Sequence, residues 1–106
     1  VENFTLTGAS GWQLLSTLLV ADATFKGIYM WSMMSIKNTH TTQTMIVKAL
    51  PGTTAPSVDS GTNLAAGISF TWDCGNQGSI DGKSIWIKCS GASTTFDLTF
   101  LRKLGV

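Results

Sequence analysis

Charge is what this sequence has least of. Lys and Arg number 7 and Asp and Glu 6, so charged side chains make up 12% of 106 residues, about half the usual share. One domain of this length has trouble covering its surface with so few charges, and surplus apolar surface points to a partner or to further copies of the chain. There is no basic run and the net charge is +1, which excludes the electrostatic grip on phosphates that nucleic-acid binding needs. Long apolar runs are missing too. The longest, Leu18 to Ala21, is far below the ~20 residues of a membrane-spanning helix. The start, VENFTLT, has no basic region followed by an apolar one, so no secretory leader is expected. Neither nucleic acid nor membrane is an expected partner.

Histidine occurs once and cysteine twice. A Ser–His–Asp or Cys–His site would have to use His40, and its surroundings, NTHTTQ, offer no strand–turn–helix nucleophile elbow. His40 reads as a solvated loop residue. Two Cys and one His at unrelated spacings do not supply the three or four ligands of a zinc site. Asp73, Asn76 and Asp81 in DCGNQGSIDG loosely resemble an oxygen-rich calcium loop, but the spacing is wrong and the bidentate Glu is missing. Turn chemistry explains these residues as well. Asp22, Asp59 and Asp97 could supply a carboxylate pair for glycoside hydrolysis, yet sequence spacing does not pair them, and Asp97 alternates with Phe96 and Leu98 toward solvent. Asn3-Phe4-Thr5 matches a glycosylation sequon by chance. The reading is a non-enzyme, with no catalytic, metal or cofactor-binding residue and no cofactor.

What is present is β-sheet chemistry: four Trp, five Phe and one Tyr among many Thr, Ser and Gly. Ile68, Phe70 and Trp72 alternate with Ser69, Thr71 and Asp73; Ile85, Ile87 and Cys89 with Trp86 and Lys88; Phe96, Leu98 and Phe100 with Asp97 and Thr99. Period two over short runs split by Gly, Ser, Asn and Asp predicts half-buried antiparallel strands. Further strands are expected at 2–7, 24–32 and 44–50, with 33–37 continuing the second of these past a bulge. Residues 12–20 fit either a helical stripe (Trp12, Leu15, Leu18, Leu19) or a strand, and a strand at 12–16 with an irregular link at 17–24 is preferred. Loops fall at 38–43 and 52–63. The expected fold is all-β, one domain over 1–106: an antiparallel two-sheet sandwich, jelly-roll or Greek-key like.

If strands 68–74 and 84–89 form a hairpin, Cys74 faces a residue near Ser84. Cys89 then lies about five residues away, roughly 16 Å at strand rise. A disulfide needs Cα atoms within about 7 Å, so two free, buried thiols are expected, as in a chain made in a reducing cytosol. Trp72 shares the phase of Ile68 and Phe70 and is expected in the core. Trp86 is out of phase with Ile85 and Ile87 and is expected to face outward, into an interface or against a sugar ring. Phe4, Trp86 and the 52–63 loop with Val58 are the candidate partner contacts.

Several stretches together, ADATFKGIYMWS, IKNTHTTQTMIVK, GTNLAAGISFTWD and SIDGKSIWIKCSGASTTFDLTF, resemble a small β domain of tailed-phage virion proteins. The carriers are an aromatic-Lys-Gly strand, a strand ending in a polar N-T loop, and an L-x-x-G-x-S strand start (Leu64, Gly67, Ser69). An I-[WY]-[IV]-K strand (Ile85 to Lys88) and a final T-x-x-D-[LV] strand to Leu98 complete the pattern, which covers roughly residues 21–101. The resemblance implies a structural virion protein made in the host cytoplasm. It would be a capsid decoration (cement) protein bound to the major capsid protein, or else a tail, neck or fibre component. It also implies a homo-oligomer, most simply a trimer. A carbohydrate-binding module is the competing reading. The matching residues are folding residues, so no functional residue carries over.

Overall fold

The computed structural model describes residues 2–75 and 78–103. Among the described residues nine strands form two antiparallel sheets: β1 (Glu2–Gly8), β2 (Trp12–Leu14), β3 (Met30–Asn38), β4 (Met45–Ala49), β5 (Thr62–Leu64), β6 (Ser69–Asp73), β7 (Ile80–Asp81), β8 (Ile85–Cys89) and β9 (Thr94–Arg102). One sheet, A, runs β1-β9-β3-β6, with the two-residue β7 also on β3; the other, B, runs β2-β8-β4-β5.

The pairings nest. β1 pairs β9, β2 pairs β8, β3 pairs β6, and β4 pairs β5. The chain is one long folded ribbon whose tip is the β4–β5 connection. Rolling that ribbon brings β9 against β3 and β8 against β4, which is the jelly-roll form of the two-sheet sandwich.

Alternation decides what lies between the sheets. Phe96, Leu98 and Phe100 of β9, Trp31, Met34 and Ile36 of β3, and Phe4 and Leu6 of β1 point inward from sheet A and are buried. Ile85, Ile87 and Cys89 of β8 and Met45 and Val47 of β4 meet them from sheet B. The Trp31 indole stacks on Phe100 with ring centroids 4.3 Å apart, and Phe4 stacks on the same ring at 5.7 Å. Gly8 of β1 faces β8 of the other sheet at close range: a Cβ there would meet Cys89 Sγ at 2.5 Å.

Three expectations are corrected. The strand proposed for 12–16 stops at Leu14, and the link expected at 17–24 begins inside a helix, α1 (Leu15–Val20). Leu15 and Leu19, one helical turn apart, are both fully buried, so the helical stripe prevails because it caps the core. The strand proposed for 24–32 lies mostly outside the ladder, since β3 starts at Met30. Gly27, at φ +77°, breaks extension in this stretch. Phe25 instead packs its ring edge against Phe4 at 5.9 Å and Tyr29 at 5.2 Å. The continuation through 33–37 is present, past a register shift between Trp31 and Met33. Finally, the 68–74/84–89 hairpin does not form, because β6 pairs β3 in one sheet while β8 pairs β2 and β4 in the other. Cys74 and Cys89 are nonetheless both free, as expected, but only Cys89 is buried as expected; Cys74 is half-buried. Among the described residues no helix is long and apolar enough to cross a membrane.

Candidate functional site

Sheet B has an unusual outer face. Its outward positions form two rows: Leu14–Trp86–Lys48, and Trp12–Lys88–Ile46–Asn63. An outward face of an antiparallel sheet is normally polar, yet this one carries two indoles, a leucine and an isoleucine. The β4–β5 connection, residues 51–61, lies across it as a strap. The Trp86 indole N–H donates to Leu50 O at 3.1 Å, where the strap begins. Lys48 Nζ donates to Ser60 Oγ at 2.9 Å, and Lys88 Nζ reaches both oxygens of Asp59 at 2.8 and 2.9 Å. Pro56 in the middle of the strap is buried.

The strap explains why Trp86 is not where its phase suggests. The residue does alternate outward from Ile85 and Ile87, but it is 4% exposed because both faces of β8 are covered. The expectation of an exposed Trp86 contact is therefore corrected. Phe4 is corrected likewise: it is 6% exposed and stacked in the core. Val58, on the strap, is 58% exposed and is the one of the three that the molecule offers to a partner. The structure does not bring these residues together on one surface.

Asp59 is the sole charge in the strap sequence PGTTAPSVDSG. Its carboxyl is held below the ordinary value, chiefly by the hydrogen bond from Lys88, against a small opposing cost of desolvation. The Trp12 indole contributes weakly in the same direction, although its N–H is buried without a well-formed hydrogen bond. Glycines bracket the strap, Gly52 at φ +103° and Gly61 at φ +148°. A Cβ on Gly61 would lie 2.5 Å from Val47 O, so only glycine lets the chain rejoin the sheet there.

The other polar groups that sequence reasoning considered are committed elsewhere. His40 Nδ1 accepts backbone N–H bonds from Thr42 and Gln43, both at 3.1 Å; the ring shapes its own loop and is not merely solvated. Asp81 accepts from Lys83 N and Ser84 Oγ and caps a short 3-10 turn. Asp97 accepts from Thr5 Oγ1 at 2.9 Å on the outer face of sheet A. On the same face Thr99 donates to Asn3 and Thr71 to Ser35. Asn76 of the calcium-like loop lies outside the described residues. Among the described residues no three His, Cys, Asp or Glu side chains converge. An apolar cleft of ≈ 290 Å³ opens between the sheets beside Trp72, Cys74, Ile80, Ile85 and Ala49. Trp72 is half-buried there against Phe70, rather than fully enclosed.

Comparison with known proteins returns no match: no family model covers the chain, and no curated protein or solved structure is similar enough to identify a relative. A signal for the strap was nonetheless present in the sequence. Two lysines, Lys48 and Lys88, sit in outward phase, and one lone acid occupies a glycine-bounded loop.

Proposed function

We propose that this chain is a non-enzymatic structural protein of a tailed-phage virion, a capsid decoration subunit that adheres to the assembled major capsid lattice. The observation that carries the reading is the strand-and-turn pattern of residues 21–101. The nested jelly-roll pairing supports it by fold analogy, since viral capsid domains use this architecture; lectin domains and cupins use it as well. A decoration protein works by binding energy alone. It prefers the assembled lattice to free subunits, and a ligand that prefers one state stabilises that state by about 2.7 kcal/mol per site at a hundred times Kd. In this reading the partner is the major capsid protein, the chain acts as a homotrimer where capsid subunits meet, and its place is the virion. A tail, neck or fibre position is the alternative within the same class.

The carbohydrate-binding alternative loses ground on one point. Stacking on a sugar needs a presented aromatic face, whereas Trp31 and Trp86 are 0% and 4% exposed and Trp12 and Trp72 are half-buried. Co-sedimentation with purified heads tests the reading. The chain should pellet with heads, change little between low and moderate salt because few charges are involved, and bind more weakly as Val58→Asp. Pelleting with tails or with polysaccharide instead of heads would replace the decoration reading by one of the alternatives.

A further inference from the structure

We infer that residues 51–61 form an acid-released strap: a glycine-bounded segment, clipped by the Asp59–Lys88 ion pair, that hides the Trp12–Trp86 face of sheet B and uncovers it when Asp59 takes a proton.

Three observations carry this. First, the clip is small and wet. Asp59 and Lys88 side chains are 58% and 30% exposed, and exposed ion pairs are weak. Second, the strap does not seal onto the sheet beneath the clip: a half-open pocket of ≈ 170 Å³ lies between Asp59, Lys88 and the Thr44–Ile46 stretch, and the Trp12 indole N–H faces Asp59 without a well-formed hydrogen bond. Third, the strap is bounded at both ends by glycines, Gly52 and Gly61, the residue type that loses most backbone order when a segment is released.

The charged and titratable groups facing the clip are few. Asp59 meets Lys88 from β8, while Lys48 from β4 is engaged with Ser60 and β2 contributes the neutral Trp12. Only Asp59 among these titrates in acid, and it does so below the ordinary carboxylate value. Its folded value is depressed by Lys88, so the clip is fully made above the ordinary carboxylate value and is lost as pH falls through the lowered one. Opening exposes the outward side chains of Trp12, Leu14, Ile46 and Trp86 to solvent.

The indole N–H resonances of the four tryptophans provide the test, read as solvent-exchange rates by NMR. At pH 7, Asp59→Asn should speed exchange of the Trp86 and Trp12 indole protons about two- to fivefold, the range a surface ion pair supports. Lys88→Gln should do the same. Trp31, whose fully buried side chain donates to Ile28 O, lies away from the strap and should not change. Acidification should raise the Trp86 rate, corrected for intrinsic exchange, in the native protein but not in Asp59→Asn. Unchanged Trp86 and Trp12 rates in both variants would overturn the inference. So would rates that rise only in step with Trp31.

Discussion

Removing the Asn38 side chain should be among the most damaging small changes in this protein. Asn38 ends β3 on the inward face and is 0% exposed, a position where an unpaired amide would be costly. Its amide is fully used. Nδ2 donates to Gln43 O at 2.8 Å and to Leu64 O at 3.1 Å, and Oδ1 accepts from His40 N at 3.0 Å. The first and last of these fold the 38–43 loop back on itself, while the second ties sheet A to β5 of sheet B. Asn38→Ala forfeits three bonds, one of them fully buried at Leu64 O, worth about 0.5–1.5 kcal/mol each. The sum is about 1.5–4.5 kcal/mol, against a total of about 5–15 kcal/mol for an ordinary domain. Urea titration followed by circular dichroism should show the midpoint falling accordingly with an unchanged slope. Asn38→Asp keeps the acceptor but loses both donors and turns a carboxylate toward two carbonyls, so at neutral pH it should be no better than Ala. A loss below about 0.5 kcal/mol for Asn38→Ala would mean that water replaces the amide and that it does not link the sheets.

Two further outcomes follow from burial. Trp86→Ala should destabilise the fold by about 3–5 kcal/mol, measured by the same titration, because the side chain is almost fully buried and its indole donates to Leu50 O. An exposed indole would cost almost nothing. Native-state alkylation at neutral pH should modify Cys74, half-buried at the cleft, and spare Cys89. Burial pushes the Cys89 thiol above its ordinary value, so it carries little thiolate, and it should react only after denaturation. Equal reactivity of the two thiols would contradict the described packing.

The strands of the second half were legible because their alternation is strict: β8 and β9 each bury every second residue of their period-two runs. Residues 12–20 were misread because strand and helix patterns overlap there, and only the fold shows that the open end of the sandwich needs Leu15 and Leu19. Thr24–Tyr29 looks like a strand by composition, yet its Phe25 ring packs between Phe4 and Tyr29 rather than extending a ladder. Partner choice was legible least of all. Sequence neighbours β6 and β8 invite a hairpin, whereas the rolled ribbon puts them in opposite sheets. Trp86 shows the same limit at the candidate site. Alternation gives the direction of a side chain but not what lies on it, and its cover comes from a segment about 30 positions away in the chain.

The central claim, attachment to a phage capsid lattice, is met most directly by cross-linking mass spectrometry on intact purified particles. Lys48, Lys83 and Lys88 lie on or beside sheet B and supply cross-linkable amines. The decoration reading predicts that this chain is a many-copy component of the particle, cross-linked to the major capsid protein and to other copies of itself. Its absence from particles, or cross-links confined to tail proteins, would contradict that reading.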